Sequence, residues 1–172
     1  MAWGRIIKPS EKSMSQKIFS HLDSENNPSM VDVSEKAITK RTATARSIVV
    51  LNEEIMANFK EGDIQTKKGA VFQTAIIAGT MGAKKTSDLI PLCHPLGLDS
   101  CKFAIEVSGN EVIIDCTCSL TAKTGVEMEA LTGASIAALT VYDMCKAFSH
   151  DIIIRETKLT KKTGGKSDFI RE

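Results

Sequence analysis

The sequence predicts an α+β fold, a ferredoxin-like antiparallel sheet with helices packed on one face. Three observations lead there. Segments 101–107 and 114–120 alternate apolar and polar residues around Gly109-Asn110, as the arms of an antiparallel hairpin do. Segments 70–85 and 121–148 carry apolar residues three and four apart, the period of a helix with one buried stripe. The resulting order, β-α-α-β-β-α-β, lacks the strict alternation of a parallel sheet.

Each element has its own justification. Residues 1–29 are polar and aperiodic and end in SENNPS. They read as a mobile arm, with Met14 as an internal start and residues 1–13 as a dispensable extension or expression remnant. From Val31 to Leu51 the chain is rich in β-branched residues and ends in IVVL, which suits one or two strands. Asn52 is placed to cap a short helix over 52–62, with Glu53 and Glu54 in its first turn and Gly62 beyond its end. The next helix, from about Ala70 to Lys85, would bury Val71, Ala75, Ala78 and Met81, with Ile76 and Ile77 beside them. Lys67 and Lys68 precede it, at the end where cations oppose the helix dipole, so a bound anion is one reason for their presence. Ser87 to Leu98 is a loop punctuated by Pro91 and Pro95, and Pro95 biases His94 toward an extended backbone.

In the hairpin, Cys101, Phe103, Ile105 and Val107 share one face, and Ile114, Cys116, Cys118 and Leu120 point inward from the second strand. The long helix over 121–148 follows. Ala130, Ala134, Ala137, Val141 and Cys145 form its stripe, and Gly133, Ala134, Ala137 and Ala138 let another backbone approach closely. Residues 151–160 form the last strand, and KKTGGKSDFIRE is a mobile basic tail.

Composition narrows the function. The 172 residues suit one domain, and 22 basic against 21 acidic residues leave a net charge of +1. A nucleic-acid or membrane-surface binder would show a basic excess, so neither partner is expected. Five cysteines without a CxxC pair, and no apolar stretch after Arg5, Lys8 and Lys12, point to reduced thiols in a cytoplasm.

Several side chains invite chemistry. Asp143 and Lys146 stand at i, i+3 among Val141, Tyr142, Met144 and Phe148, so acid–base work competes with a surface ion pair of little weight. Cys116 and Cys118 share one strand face and read as core thiols, since no second ligand pair has zinc-site spacing and no metal is expected. Adjacent Cys93 and His94 point apart on an extended loop, so a thiolate–imidazole pair is poor geometry, and His94 reads as a substrate contact. Gly165-Lys166-Ser167 is not a P-loop, because Thr160 stands where the first glycine belongs. Lys161, Lys162 and Lys166 remain as point charges for a polyphosphate, or as a solvated tail.

Together DLIPLCHPLGL (88–98), KTGVEMEALTGASIAALTVYDMCKA (123–147), KKTGGKSDF (161–169) and MVDVSEK (30–36) closely resemble the cyclic pyranopterin monophosphate synthases of molybdenum-cofactor biosynthesis. The resemblance runs from about Phe19 to Phe169. It leaves residues 1–18 as a disordered arm and 19–169 as a single catalytic domain. A glycine frequent in the family between Ser167 and Asp168 is missing here.

The resemblance implies conversion of (8S)-3′,8-cyclo-7,8-dihydroguanosine 5′-triphosphate to cyclic pyranopterin monophosphate and pyrophosphate. It implies Asp143, Lys146 and Lys68 as catalytic. Leu92, Cys93, His94, Glu127, Met128 and Glu129 would bind substrate, and Lys162 and Arg41 would contact phosphate. No resident cofactor is implied, and Mg²⁺ carried on the triphosphate would need no protein motif. A helix of fourteen residues' rise separates Glu129 from Asp143 by ~21 Å. That suits the family's arrangement, a homohexamer built as a trimer of dimers with sites between subunits. Lys68 and the 92–94 loop would then act with a neighbour's Asp143 or Glu129, and the small-residue stripe would serve a two-fold contact. A regulatory module that merely binds a small molecule, and a thiol hydrolase at Cys93, are the rival readings.

Overall fold

The structure is a computed structural model that describes residue 25 and residues 27–171. The chain divides into two units, Met1–Val31 and Asp32–Glu172. The first is described only at 25 and 27–31, so the expected arm over 1–18 and the start of the domain at 19 lie outside the described residues. The second unit carries the elements that follow.

Its main sheet is antiparallel. Four long strands, β1 (Thr39–Val50), β5 (Ser100–Ser108), β6 (Glu111–Ala122) and β7 (Ile153–Thr163), with the short β8 (Phe169–Ile170), lie in the order β5-β6-β1-β7-β8. Counted along the chain, the long strands stand second, third, first, fourth. Helix α2 (Val71–Lys84) crosses from β1 to β5, and α4 (Glu127–Cys145) from β6 to β7. This is the split β-α-β order that the sequence predicts, in an α+β sheet that stays open. Both helices pack side by side on one face.

The strands follow their side-chain alternation. Along β6, Val112, Ile114, Cys116, Cys118 and Leu120 are buried, with less buried residues between them. In β1 the rhythm breaks, and Ser47, Ile48 and Val49 are all buried. The β1–β6 register is unbroken, and the register shifts against β7 at Thr44/Ala45 and Ile48/Val49 leave the extra residues, Thr160 and Arg155, in β7, so Ile48 is buried on the face opposite Ser47 and Val49. That face is otherwise polar, with Arg46 gripping Asp115 through two bonds of 2.8 and 2.6 Å.

Four expectations need correction. The helix expected over 52–62 is a single turn, α1 (Glu53–Met56), capped as foreseen by Asn52, whose side chain accepts from Ile55 N at 3.1 Å. Beyond it β2 (Phe59–Lys60), β3 (Asp63–Thr66) and β4 (Gly69–Ala70) form a small second sheet, so Glu61-Gly62 is a hairpin turn and not a helix end. On α2 the buried face is Val71, Phe72, Ala75, Gly79, Gly82 and Ala83, while Ile77 and Met81 stand exposed. Glycines carry this face, and a hydropathy pattern hides them. The loop after α2 opens with a further turn, α3 (Thr86–Leu89). Finally, the basic tail is folded. β7 continues to Thr163, Gly164 turns at φ +85, and β8 pairs back through Lys161↔Ile170 and Lys162↔Phe169. A side chain at Gly164 would meet Lys40 O at 1.9 Å, so the turn requires glycine on steric as well as conformational grounds.

Helices α2 and α4 touch at glycine. A Cβ on Gly79 would stand 2.8 Å from Gly133 O and 2.5 Å from the Phe103 ring. The small-residue stripe of α4 is thus consumed inside the chain, against α2 and the sheet, and offers no two-fold contact.

Candidate functional site

Two polar clusters occupy opposite ends of α4. The first forms at its C-terminal end. Asp143 Oδ1 takes an ion pair from Lys146 Nζ at 2.6 Å, and Asp143 Oδ2 one from Lys68 Nζ at 3.2 Å. Lys68 also reaches Asp143 O at 3.3 Å. Both lysines hold the Asp143 carboxyl below the usual aspartate range, Lys146 first, by charge-assisted hydrogen bonds. Asp143 in turn raises Lys146 above the ordinary lysine value. The three side chains are about half exposed, beside a cleft of about 380 Å³ lined by Thr66, Lys67, Lys68, Met144, Ala147 and Phe148.

Lys68 stands here because of the turn between β3 and β4, where Lys68 N donates to Thr66 Oγ1 and Thr66 Oγ1 donates to Gly69 O. The start of α2 that follows does not rely on an external anion. Buried Asp63 accepts from Phe72 N at 2.8 Å and from Gln73 N at 3.2 Å, a cap supplied from the preceding strand. Sequence reading missed this cap, since Asp63 lies outside the four residues where caps are sought.

The second cluster forms at the N-terminal end of α4. Glu127 pairs with Lys162 of β7 at 3.1 Å. Glu129 is buried, at 4% exposure, and loss of hydration pushes its carboxyl up, with a smaller push from Glu127. Met128 between them faces outward. Leu92, Cys93 and His94 are half-buried in the loop ahead of β5, where Cys93 N donates to Ile90 O. Burial, then the Glu129 charge, pushes the Cys93 thiol up, which argues against a thiolate nucleophile there. Arg41 of β1 spends its guanidinium on backbone, donating to Ala122 O and Lys123 O at 3.2 Å each. It braces the turn into α4.

One chain therefore joins Lys68, Asp143 and Lys146, and separately Glu127 with Lys162 and Glu129 with the Cys93 loop. Sequence reading placed Lys68 with a neighbour's Asp143 or Glu129; within one chain the small second sheet, unforeseen, brings Lys68 to Asp143 of its own helix. The cleft-lining Thr66, Lys67, Met144, Ala147 and Phe148 were not foreseen as a group, and only Lys67, at the wrong end of a dipole, gave a signal.

A carboxylate held between two lysine amines at a cleft, on an open α+β layer, is an arrangement suited to acid–base chemistry on a small molecule. Comparison with known proteins gives its family: the chain belongs to the MoaC family, whose profile matches residues 30–165. A protein of Xanthomonas axonopodis pv. citri named cyclic pyranopterin monophosphate synthase is 53% identical over 152 residues, 88% of this chain and 92% of the relative. Its namesake in Xanthomonas oryzae pv. oryzae is 52% identical over 159 residues, 92% of this chain and 96% of the relative. In Synechocystis a molybdenum cofactor biosynthesis bifunctional protein is 51% identical over 88% of this chain, which spans 45% of that relative.

Proposed function

We propose that this chain works in molybdenum-cofactor biosynthesis as a cyclic pyranopterin monophosphate synthase. It converts (8S)-3′,8-cyclo-7,8-dihydroguanosine 5′-triphosphate to cyclic pyranopterin monophosphate with release of pyrophosphate, a phosphorus–oxygen lyase reaction. The observation that carries the reading is Asp143 between Lys68 and Lys146, within a chain about half identical to synthases of that name along nearly its whole length.

Opening and rebuilding a purine-derived ring needs repeated proton transfers. An aspartate kept ionised next to two protonated amines has both a base and acids within one hydrogen bond of a substrate atom. Closing the cyclic phosphate makes a sugar oxygen displace pyrophosphate from the α-phosphorus. The hydroxyl proton leaves to a base, and cations neutralise the departing charge. Lys68, with its neighbour Lys67 on the cleft wall, stands where that charge would develop. At the other end, Glu127 and Glu129 would accept from the guanidine-like edge of the base, flanked by Met128 and by Leu92, Cys93 and His94. Lys162 and Arg41 would meet phosphate oxygens.

Both groups of residues serve one ligand only if two chains supply them, because α4 holds them ~21 Å apart at 1.5 Å per residue. We therefore place the site between subunits of a dimer, within a homohexamer. No resident cofactor enters this scheme, and Mg²⁺ would arrive with the triphosphate. A cytoplasmic location fits a biosynthetic step, and among the described residues no helix is long and apolar enough to cross a membrane. Mass spectrometry of the purified chain incubated with the cyclised triphosphate tests the activity. Product and pyrophosphate are expected, whereas intact triphosphate would leave a binding module.

A further inference from the structure

Three of the five cysteines meet in one place, close enough to Glu129 for its charge to act on Cys118 but sharing no residue with either cluster described above. Cys101 of β5 lies opposite Cys118 of β6 in the strand register, and Cys116 points to the same side two residues earlier. The sequence showed the pair on β6, and the structure adds the third thiol from the neighbouring strand. The Sγ atoms form a nearly equilateral triangle, with Cys101–Cys116 at 3.9 Å and the other two sides at 3.8 Å. The centre of such a triangle lies about 2.2 Å from each corner (the side divided by √3), close to the metal–thiolate length of about 2.3 Å. A cation could therefore sit among the sulfurs without moving the strands.

Cys116 and Cys118 are fully buried, and half-buried Cys101 gives an entry path. Ala83 and Gly133 close the site from the helix side, and Gly133 is small enough for α4 to ride directly over Cys116. Among the described residues no fourth His, Cys, Asp or Glu donor joins the group. Structural zinc takes four ligands, whereas soft three-thiolate surroundings suit monovalent copper.

We propose that Cys101, Cys116 and Cys118 form a three-thiolate site for a soft monovalent cation, Cu(I) being the one that fits. Each thiol gives its proton to solvent as it coordinates, and the bound ion staples β5 to β6 beneath α4. This site is independent of the synthase reading and involves none of its residues.

Anaerobic titration of the reduced full-length chain with Cu(I) bicinchoninate tests it. One ion per chain is expected, with X-ray absorption showing three sulfurs and a melting temperature that rises on loading. Cys101→Ser and Cys118→Ala should each weaken Cu(I) binding at least about tenfold, the floor set by losses in outer-shell variants alone. Cys93→Ser should leave Cu(I) binding unchanged. No retention of Cu(I) against bicinchoninate, fewer than three sulfurs, or undiminished binding in Cys101→Ser would overturn the proposal and reduce the triangle to packed core thiols. A Zn²⁺ arm, read against a colorimetric chelator, decides the metal: tighter one-to-one retention of Zn²⁺ than of Cu(I) would refute the copper assignment.

Discussion

Asp143 keeps its charge through two lysines on different elements, one three residues along its own helix and one on the turn between β3 and β4. Because the pair is exposed, it adds little to stability. Asp143→Asn and Lys146→Ala should thus each abolish most turnover while melting within a degree or two of the parent, as measured by activity assay and calorimetry. Normal turnover in both variants would demote the pair to a surface ion bridge. Removing Asp143 should also let the Lys146 amine fall back toward the ordinary lysine range, visible by NMR of the labelled side chain.

Glu129 behaves in the opposite sense. Its folded carboxyl titrates above the ordinary glutamate value, so the folded state binds the extra proton in the window just above that value, and stability declines as pH rises through it. A guanidine-like edge needs the ionised form, so substrate affinity should tighten with rising pH across the same window and level off beyond it. Calorimetric affinities measured against pH check this, and Glu129→Gln should flatten the profile.

At the scale of elements, the crossing of α2 over α4 depends on hydrogen atoms where side chains would otherwise be. Gly79→Ala places a methyl 2.8 Å from Gly133 O, a backbone atom that cannot rotate away. Overpacking of this kind costs about 1–3 kcal/mol, and urea unfolding should register it as a lower midpoint with an unchanged slope. An unchanged midpoint would mean that the helices part freely. The same crossing shows what the sequence could and could not disclose. Hairpin alternation gave β5 and β6 face by face, and Asn52 announced its cap, because both signals are local. The buried face of α2 was misread because Met81 and Ile77 outweigh glycines on any hydropathy measure. The second sheet was missed because its strands are two to four residues long, and such strands carry no period.

Across the whole molecule, motif residues were legible as chemistry but not as partners. Asp143 and Lys146 sat three apart in plain view, while Lys68 joins them from 75 residues away through a sheet that sequence did not reveal. The revised pairing changes the subunit-mixing experiment. Inactive Lys68→Ala chains mixed with inactive Asp143→Asn chains should stay inactive, since each lesion falls in the same half-site. Glu129→Gln chains mixed with Asp143→Asn chains should regain activity, because some dimers then assemble one undamaged site. Recovery in the first mixture, or none in the second despite demonstrated exchange, would refute a site divided in this way.

The helix that holds the two half-sites apart also constrains how this chain can change over time. Each residue added within α4 advances everything beyond it by 1.5 Å and turns it through about 100°. One inserted residue would swing Asp143 off the cleft while leaving Glu129 in place. Substitutions along α4 can be absorbed one at a time, but its length behaves as an inherited gauge. Insertions and deletions should collect instead at the Gly109-Asn110 turn between β5 and β6, which carries no residue of either half-site.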